Sequence, residues 1–148
     1  MKKRVCSTLC VVAMLCSLCT VSAVAAEDGG IAPLRASEYL TEYTIAVAAT
    51  SNHRIGMGIT VDGTGTMTKI GVDVIHIEKK VNGTWTTHDT LFGAEHPEFY
   101  QYNTFSYVDT VYFTGTAGVT YRVTITAFAQ NNSGYDTGTV TSYTVTCK

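Results

Sequence analysis

Between Arg54 and Val61 the chain alternates without a break: Ile55, Met57, Ile59 and Val61 are interleaved with Arg54, Gly56, Gly58 and Thr60. A side-chain period of two belongs to a β-strand with one face on a core, so the first set is expected inside and the second outside. Tyr121, Val123, Ile125 and Ala127 alternate in the same way with Arg122, Thr124 and Thr126. Ile75 and Ile77 point inward with His76 and Glu78 outward, and Ile70 and Val72 join that register only if the chain shifts within Gly71–Val74, which predicts a bulge there. No stretch of ten or more residues keeps a helical period. From Tyr39 onward threonine alone fills 23 positions, beside many Val, Ile and Tyr, and these types fit a pleated, half-buried surface. Further strands are expected at about 43–49, 84–90, 105–114 and 138–147, which makes seven.

The turns divide the chain at the same places. Asn82-Gly83, between Val81 and Thr84, is a strong hairpin signal because both residues tolerate the positive φ of a type I′ turn. Asp62-Gly63-Thr64-Gly65, Gly115-Thr116-Ala117-Gly118 and Asn131-Asn132-Ser133-Gly134 separate other strands. Seven short strands without crossover helices predict an all-β, antiparallel sandwich in a single domain over 39–148, preceded by a flexible leader at 27–38.

The first 26 residues read differently. Lys2, Lys3 and Arg4 are followed by an apolar run from Val5 to about Cys19 and by the small residues Ser22 to Ala26. A basic start, a short apolar middle and an Ala-x-Ala exit predict a cleaved secretory signal peptide of bacterial type over 1–26, and hence a secreted, extracellular protein. The run is too short for a membrane span, which needs roughly 20 apolar residues. Cys10 and Cys19 lack the small preceding residue of a lipidation site. Removing 26 of 148 residues leaves 122, enough for one core. Three of the ten basic residues leave with the signal and no acidic one does, so seven stand against twelve, a formal charge of −5. That balance argues against nucleic acid or an anionic membrane as partner. Four of the five cysteines leave as well, so Cys147 has no internal disulfide partner. Its alternation with Tyr143 and Val145 favours burial.

The run Gly115-Thr116-Ala117-Gly118-Val119-Thr120-Tyr121-Arg122-Val123-Thr124-Ile125-Thr126-Ala127, with Asn131 and Gly134 after it, resembles the E–F corner and strand F of fibronectin type III and related immunoglobulin-like domains. The resemblance implies a seven-stranded sandwich in which Tyr121 is the corner tyrosine, its hydroxyl bonded to nearby backbone. The Gly63–Gly71 segment, Gly-Thr-Gly-Thr-Met-Thr-Lys-Ile-Gly, is also similar to one found in small uncharacterised secreted proteins of Gram-positive bacteria. The antibody-type Cys pair and strand-C Trp are missing, since Trp85 falls on the following strand. Such a fold hosts many functions and transfers none by itself.

For chemistry the sequence offers little. There is no Gly-x-Ser-x-Gly elbow and no local Cys-His signature of a nucleophile. His88, Asp89, Glu95, His96 and Glu98 form the densest titratable group, but without recurrent ligand spacing, so no metal or other cofactor is expected. The same segment continues as Phe99-Tyr100-Gln101-Tyr102-Asn103-Thr104-Phe105. Ring faces stack on the C–H faces of sugars, so Phe99, Tyr100 and Tyr102 are the candidate binding residues. The simpler expectation is that these rings close one end of the sandwich. Trp85 is read as core or cross-strand packing. The Asn-x-Thr/Ser triplets at Asn82 and Asn131 are read as turns rather than glycosylation sites. The expected function is a secreted, monomeric, non-enzymatic interaction module for an extracellular protein or glycan. The alternatives are a carbohydrate-binding module built on the 92–105 loop, and a secreted enzyme or toxin with no recognisable site.

Overall fold

A computed structural model describes residues 37–148. The signal-peptide reading of 1–26 and the leader as far as residue 36 lie outside the described residues. Within them the chain is all-β. It forms β1 (Leu40–Ala49), β2 (Arg54–Met67), β3 (Lys69–Val81), β4 (Thr84–Phe92), β5 (Tyr100–Gln101), β6 (Thr104–Thr114), β7 (Thr120–Gln130), β8 (Tyr135–Thr141) and β9 (Val145–Thr146). Two antiparallel sheets result. One has the order β1-β2-β6, and the other β4-β3-β7-β8, with β5 added beside β3 and β9 beside β7. The only helical element among the described residues is a 3₁₀ turn, Pro97–Phe99, and no helix there is long and apolar enough to cross a membrane.

The count is nine strands where seven were expected, and both additions are dipeptides. The expected strand over 138–147 is broken. β8 pairs with β7 as far as Thr141 opposite Thr124. Ser142 then holds Val123 from both sides, its N–H donating to the Val123 carbonyl (2.7 Å) and its Oγ accepting from the Val123 N–H (2.9 Å). The chain resumes ladder pairing with Val145 opposite Tyr121. That interruption turns Tyr143 out to solvent while Cys147 stays buried, so the two do not share a face as the alternation suggested. The bulge expected within Gly71–Val74 is present, as a register shift between Val72 and Val74 against β7.

The core lies between the sheets, built from the inward sets read in the sequence. Ile55, Met57, Ile59 and Val61 of β2 face Ile75 and Ile77 of β3 and Tyr121, Val123, Ile125 and Ala127 of β7, all buried. Each large aliphatic side chain so placed stabilises the fold by roughly 1.5–3 kcal/mol relative to exposure. The two flanks are closed by rings. Tyr39 and Tyr43 fill the space that side chains would need at Gly134 and Gly138, bringing β1 against β8. On the other flank His88 of β4 packs edge-on to Tyr121 (centroids 5.2 Å apart), and its Nε2 lies 3.3 Å from the Thr114 carbonyl of β6.

Tyr121 itself is fully buried. Its hydroxyl accepts a hydrogen bond from the Thr116 N–H at 2.8 Å, and its ring meets Phe113 in a T-shaped contact at 5.3 Å. Asn82 and Gly83 carry φ values of 50° and 83°, the positive pair that their turn requires.

Candidate functional site

On β7 burial alternates along the whole strand, so Arg122, Thr124, Thr126, Phe128 and Gln130 form the outward set. Directly opposed residues of an antiparallel pair share a face. Opposite Phe128 therefore stand Thr137 on β8 and Gly71 on β3, and opposite Gly71, on its other edge, stands Tyr100 of β5. The row across the sheet reads Tyr100, Gly71, Phe128, Thr137. Because Gly71 contributes no side chain, the rings of Tyr100 and Phe128 meet above it, T-shaped, with centroids 6.2 Å apart. Gln130, one row further on, opposes Tyr135. From there the Tyr135 ring reaches diagonally to Phe128 and lies nearly parallel to it, 25° between planes and 5.9 Å between centroids.

Lys69, opposite Gln130 on β3, completes the group. Its Nζ sits 3.5 Å from the Tyr100 ring centroid and 5.1 Å from that of Phe128, a cation over aromatic faces. Tyr100 is held firmly. Its hydroxyl donates to Asp73 Oδ1 at 2.6 Å, and its ring edge fills the space that a Cβ at Gly93 would need. Burial, and then the Asp73 carboxylate that accepts this bond, push the Tyr100 hydroxyl well above the ordinary tyrosine value. Tyr135 stays 64% exposed. Phe92, opposite Val74 in the neighbouring row, is also exposed. The result is an aromatic platform on the outer face of the six-stranded sheet, rigid at Tyr100 and open at Tyr135.

The opposite end of the face carries a second arrangement of rings and cations. The Arg122 guanidinium lies 4.4 Å from the Trp85 ring centroid, and Lys80 Nζ lies 5.7 Å from it. Arg122 is engaged by Glu78 in a two-pronged contact, Nε to Oε2 at 2.6 Å and Nη2 to Oε1 at 3.1 Å. The Arg122 bond holds the Glu78 carboxyl below its ordinary value. Trp85 is thus a half-exposed cross-strand ring on the outer face, not part of the core.

The candidate loop residues separate. Phe99 is buried, stacked beneath the His96 ring at 4.7 Å. Tyr100 joins the platform, while Tyr102 and Phe105 are left exposed. The titratable group disperses: His88 seals a flank, Asp89 accepts the Thr90 N–H, and His96 pairs with Glu98 at 2.9 Å. Among the described residues no three His, Cys, Asp or Glu side chains converge as metal ligands.

Phe128, Tyr135 and Lys69 were not candidates in the sequence. The first had a readable signal, since the alternation that sends Ile125 and Ala127 inward sends Phe128 outward, and a large ring in a solvent-facing set is anomalous. Tyr135 and Lys69 are placed only by register. The chain matches no protein-family model, no curated protein and no solved structure.

Proposed function

We propose that this protein is a secreted, non-enzymatic binding module that presents the outer face of its six-stranded sheet to an extracellular partner. The observation that carries the reading is the platform of Tyr100, Phe128 and Tyr135 around Lys69. Large rings placed side by side on a solvent-facing sheet contribute nothing to the core and mark an interaction surface. Secretion rests on the basic, apolar and Ala-x-Ala sequence of residues 1–26. A fibronectin type III-like identity for the sandwich draws support from its seven long strands divided three and four, and from the Tyr121 hydroxyl bonded to backbone at the start of β7. Rigid sandwiches of this kind serve as scaffolds for such surfaces.

The test compares the secreted protein with a Phe128→Thr/Tyr135→Thr variant, for retention on cell-wall, mucin and plant-polysaccharide matrices. Threonine suits both strand positions, so the melting temperature is expected to stay within a few degrees. Retention of the variant is expected to fall about tenfold or more, the loss typical of removing interface anchors. Equal retention of both proteins, or retention of neither on any matrix, overturns the reading.

A further inference from the structure

We infer that the ligand of this face is a carboxylated sugar chain, of the uronic or sialic acid class, bound with its carboxylate on Lys69 and its ring stacked on Tyr135 and Phe128. The inference rests on the binding-face reading above and adds the chemistry of the ligand. Its ground is the state of the charges. Four of the six Lys and Arg side chains among the described residues, Lys69, Lys79, Lys80 and Arg122, lie on β3 and β7 of the six-stranded sheet. Of the four acids on the strands of that sheet, Glu78 is taken by Arg122, Asp73 by the Tyr100 hydroxyl, Asp136 by the Tyr39 N–H at 2.8 Å, and Asp89 accepts the Thr90 N–H. Among the described residues Lys69 has no carboxylate within ion-pair distance. Its charge rests on two rings instead, in the middle of the platform. An ammonium so placed, on a half-buried lysine of the outer face, complements an anion that arrives together with an apolar face.

A hexuronic or sialic acid ring has both parts: a C–H face that stacks on an aromatic ring, and an equatorial or axial carboxylate at its rim. A phosphate or a peptide carboxylate satisfies the lysine alone and leaves Phe128 and Tyr135 uncovered. A neutral pyranose satisfies the rings alone and leaves the cation unmatched. The exposed Tyr135 ring and the Gln130 amide beside it supply the remaining surface, the amide suited to sugar hydroxyls.

Titration calorimetry with the full secreted protein tests this, using four probes: oligogalacturonate, its carboxyl-reduced neutral counterpart, sialyllactose, and polyglutamate as an anion without sugar rings. Binding of oligogalacturonate or of sialyllactose is expected, and which of the two binds identifies the source. Lys69→Gln is expected to weaken it about fivefold, as for an exposed charge pair, while Lys69→Arg retains it. Tyr135→Ala is expected to weaken it further, and Tyr112→Ala, on the opposite sheet, to leave it unchanged. Neutral and acidic oligomers binding equally, an unaffected Lys69→Gln, or polyglutamate binding as well as the sugars overturns the inference. If Tyr135→Ala still abolishes binding of a neutral glycan in those cases, the binding-face reading stands without its acidic ligand. If Tyr135→Ala is also silent, both fall.

Discussion

The two outer faces of this molecule are built on the same strand geometry and could hardly differ more. On the β1-β2-β6 sheet the central outward rows are made of small residues, Ala46 opposite Gly58 and Ala48 opposite Gly56. The large ring of its outward set, Tyr112, lies down over Gly56 beneath the Arg54 guanidinium, 4.3 Å from the ring centroid. On the β4-β3-β7-β8 sheet the outward rows carry Tyr100, Phe128, Tyr135, Phe92 and Trp85, set among threonines. Both sheets are anchored by the same core. The difference teaches that core burial dictates only the inward half of each strand, while the outward half is free to be bare or to be furnished for contact.

The sharpest way to break the furnished face is at Gly71. A Cβ there overlaps the Phe99 carbonyl oxygen and presses on the Tyr100 backbone, neither of which is the yielding end of a side chain. Gly71→Ala is expected to cost about 3 kcal/mol or more, in the range of severe backbone and overpacking lesions, and to detach β5 and the turn before it. Chemical denaturation measures the cost, and loss of the Tyr100 to Phe128 contact in NMR spectra reports the detachment. A cost below about 1 kcal/mol would show that the platform is not held as described.

A gentler perturbation acts on the far end of the same face. The folded Glu78 carboxyl is held below its ordinary value by the Arg122 bond, so the pair contributes stability above the unfolded glutamate value near 4.3, and that contribution is lost as pH falls through the lower folded value. The unfolded state takes up the proton first, which is why acid removes the gain. Half-buried forked pairs that remain in contact with solvent, as this one does, contribute about 0.5–1 kcal/mol at neutral pH. Glu78→Gln is expected to lose that much at pH 7 and progressively less as the pH falls below the unfolded glutamate value, which a series of urea melts between pH 7 and the acid range distinguishes. A loss that does not change with pH would assign the role to packing against Trp85 rather than to charge.

The smallest effect is expected on the bare face. A Cβ at Gly58 meets nothing nearer than the Ala46 carbonyl oxygen at 4.0 Å. Gly58→Ala is expected to be neutral or stabilising by about 0.5 kcal/mol, through the entropy of the unfolded chain. Beside Gly71→Ala it sets the scale of the contrast: the same substitution, on two outer faces, separated by several kcal/mol. A marked loss at Gly58 would mean that the small-residue face is itself under steric demand.

How much of this could be read beforehand follows from what each feature depends on. β2 and β7 were legible because burial on one face writes a period of two directly into Ile55–Val61 and Tyr121–Ala127, and the Gly71–Val74 shift was legible from the break in that period. The split of the last strand was not, because it turns on Ser142 bonding to both backbone groups of Val123, a contact made across the fold. The site was half legible. Tyr100 was named, but its neighbours in sequence, Phe99 and Tyr102, go one into the interior and the other into solvent. Its partners in the platform, Phe128 and beyond it Tyr135, come from strands two and three places across the sheet. A contiguous aromatic run in the sequence drew attention that belonged to a row of the register.

The central claim is that binding belongs to one outer face, and a titration of the isotopically labelled protein with oligogalacturonate and sialyllactose, followed by amide and aromatic chemical shifts, tests it most directly. The account predicts that shifts concentrate on Lys69, Gly71, Tyr100, Phe128, Gln130 and Tyr135, with Ala46, Ala48, Gly58 and Tyr112 unmoved. Shifts centred on the β1-β2-β6 face, or on the Tyr102 to Phe105 segment with Phe128 and Tyr135 silent, would contradict it.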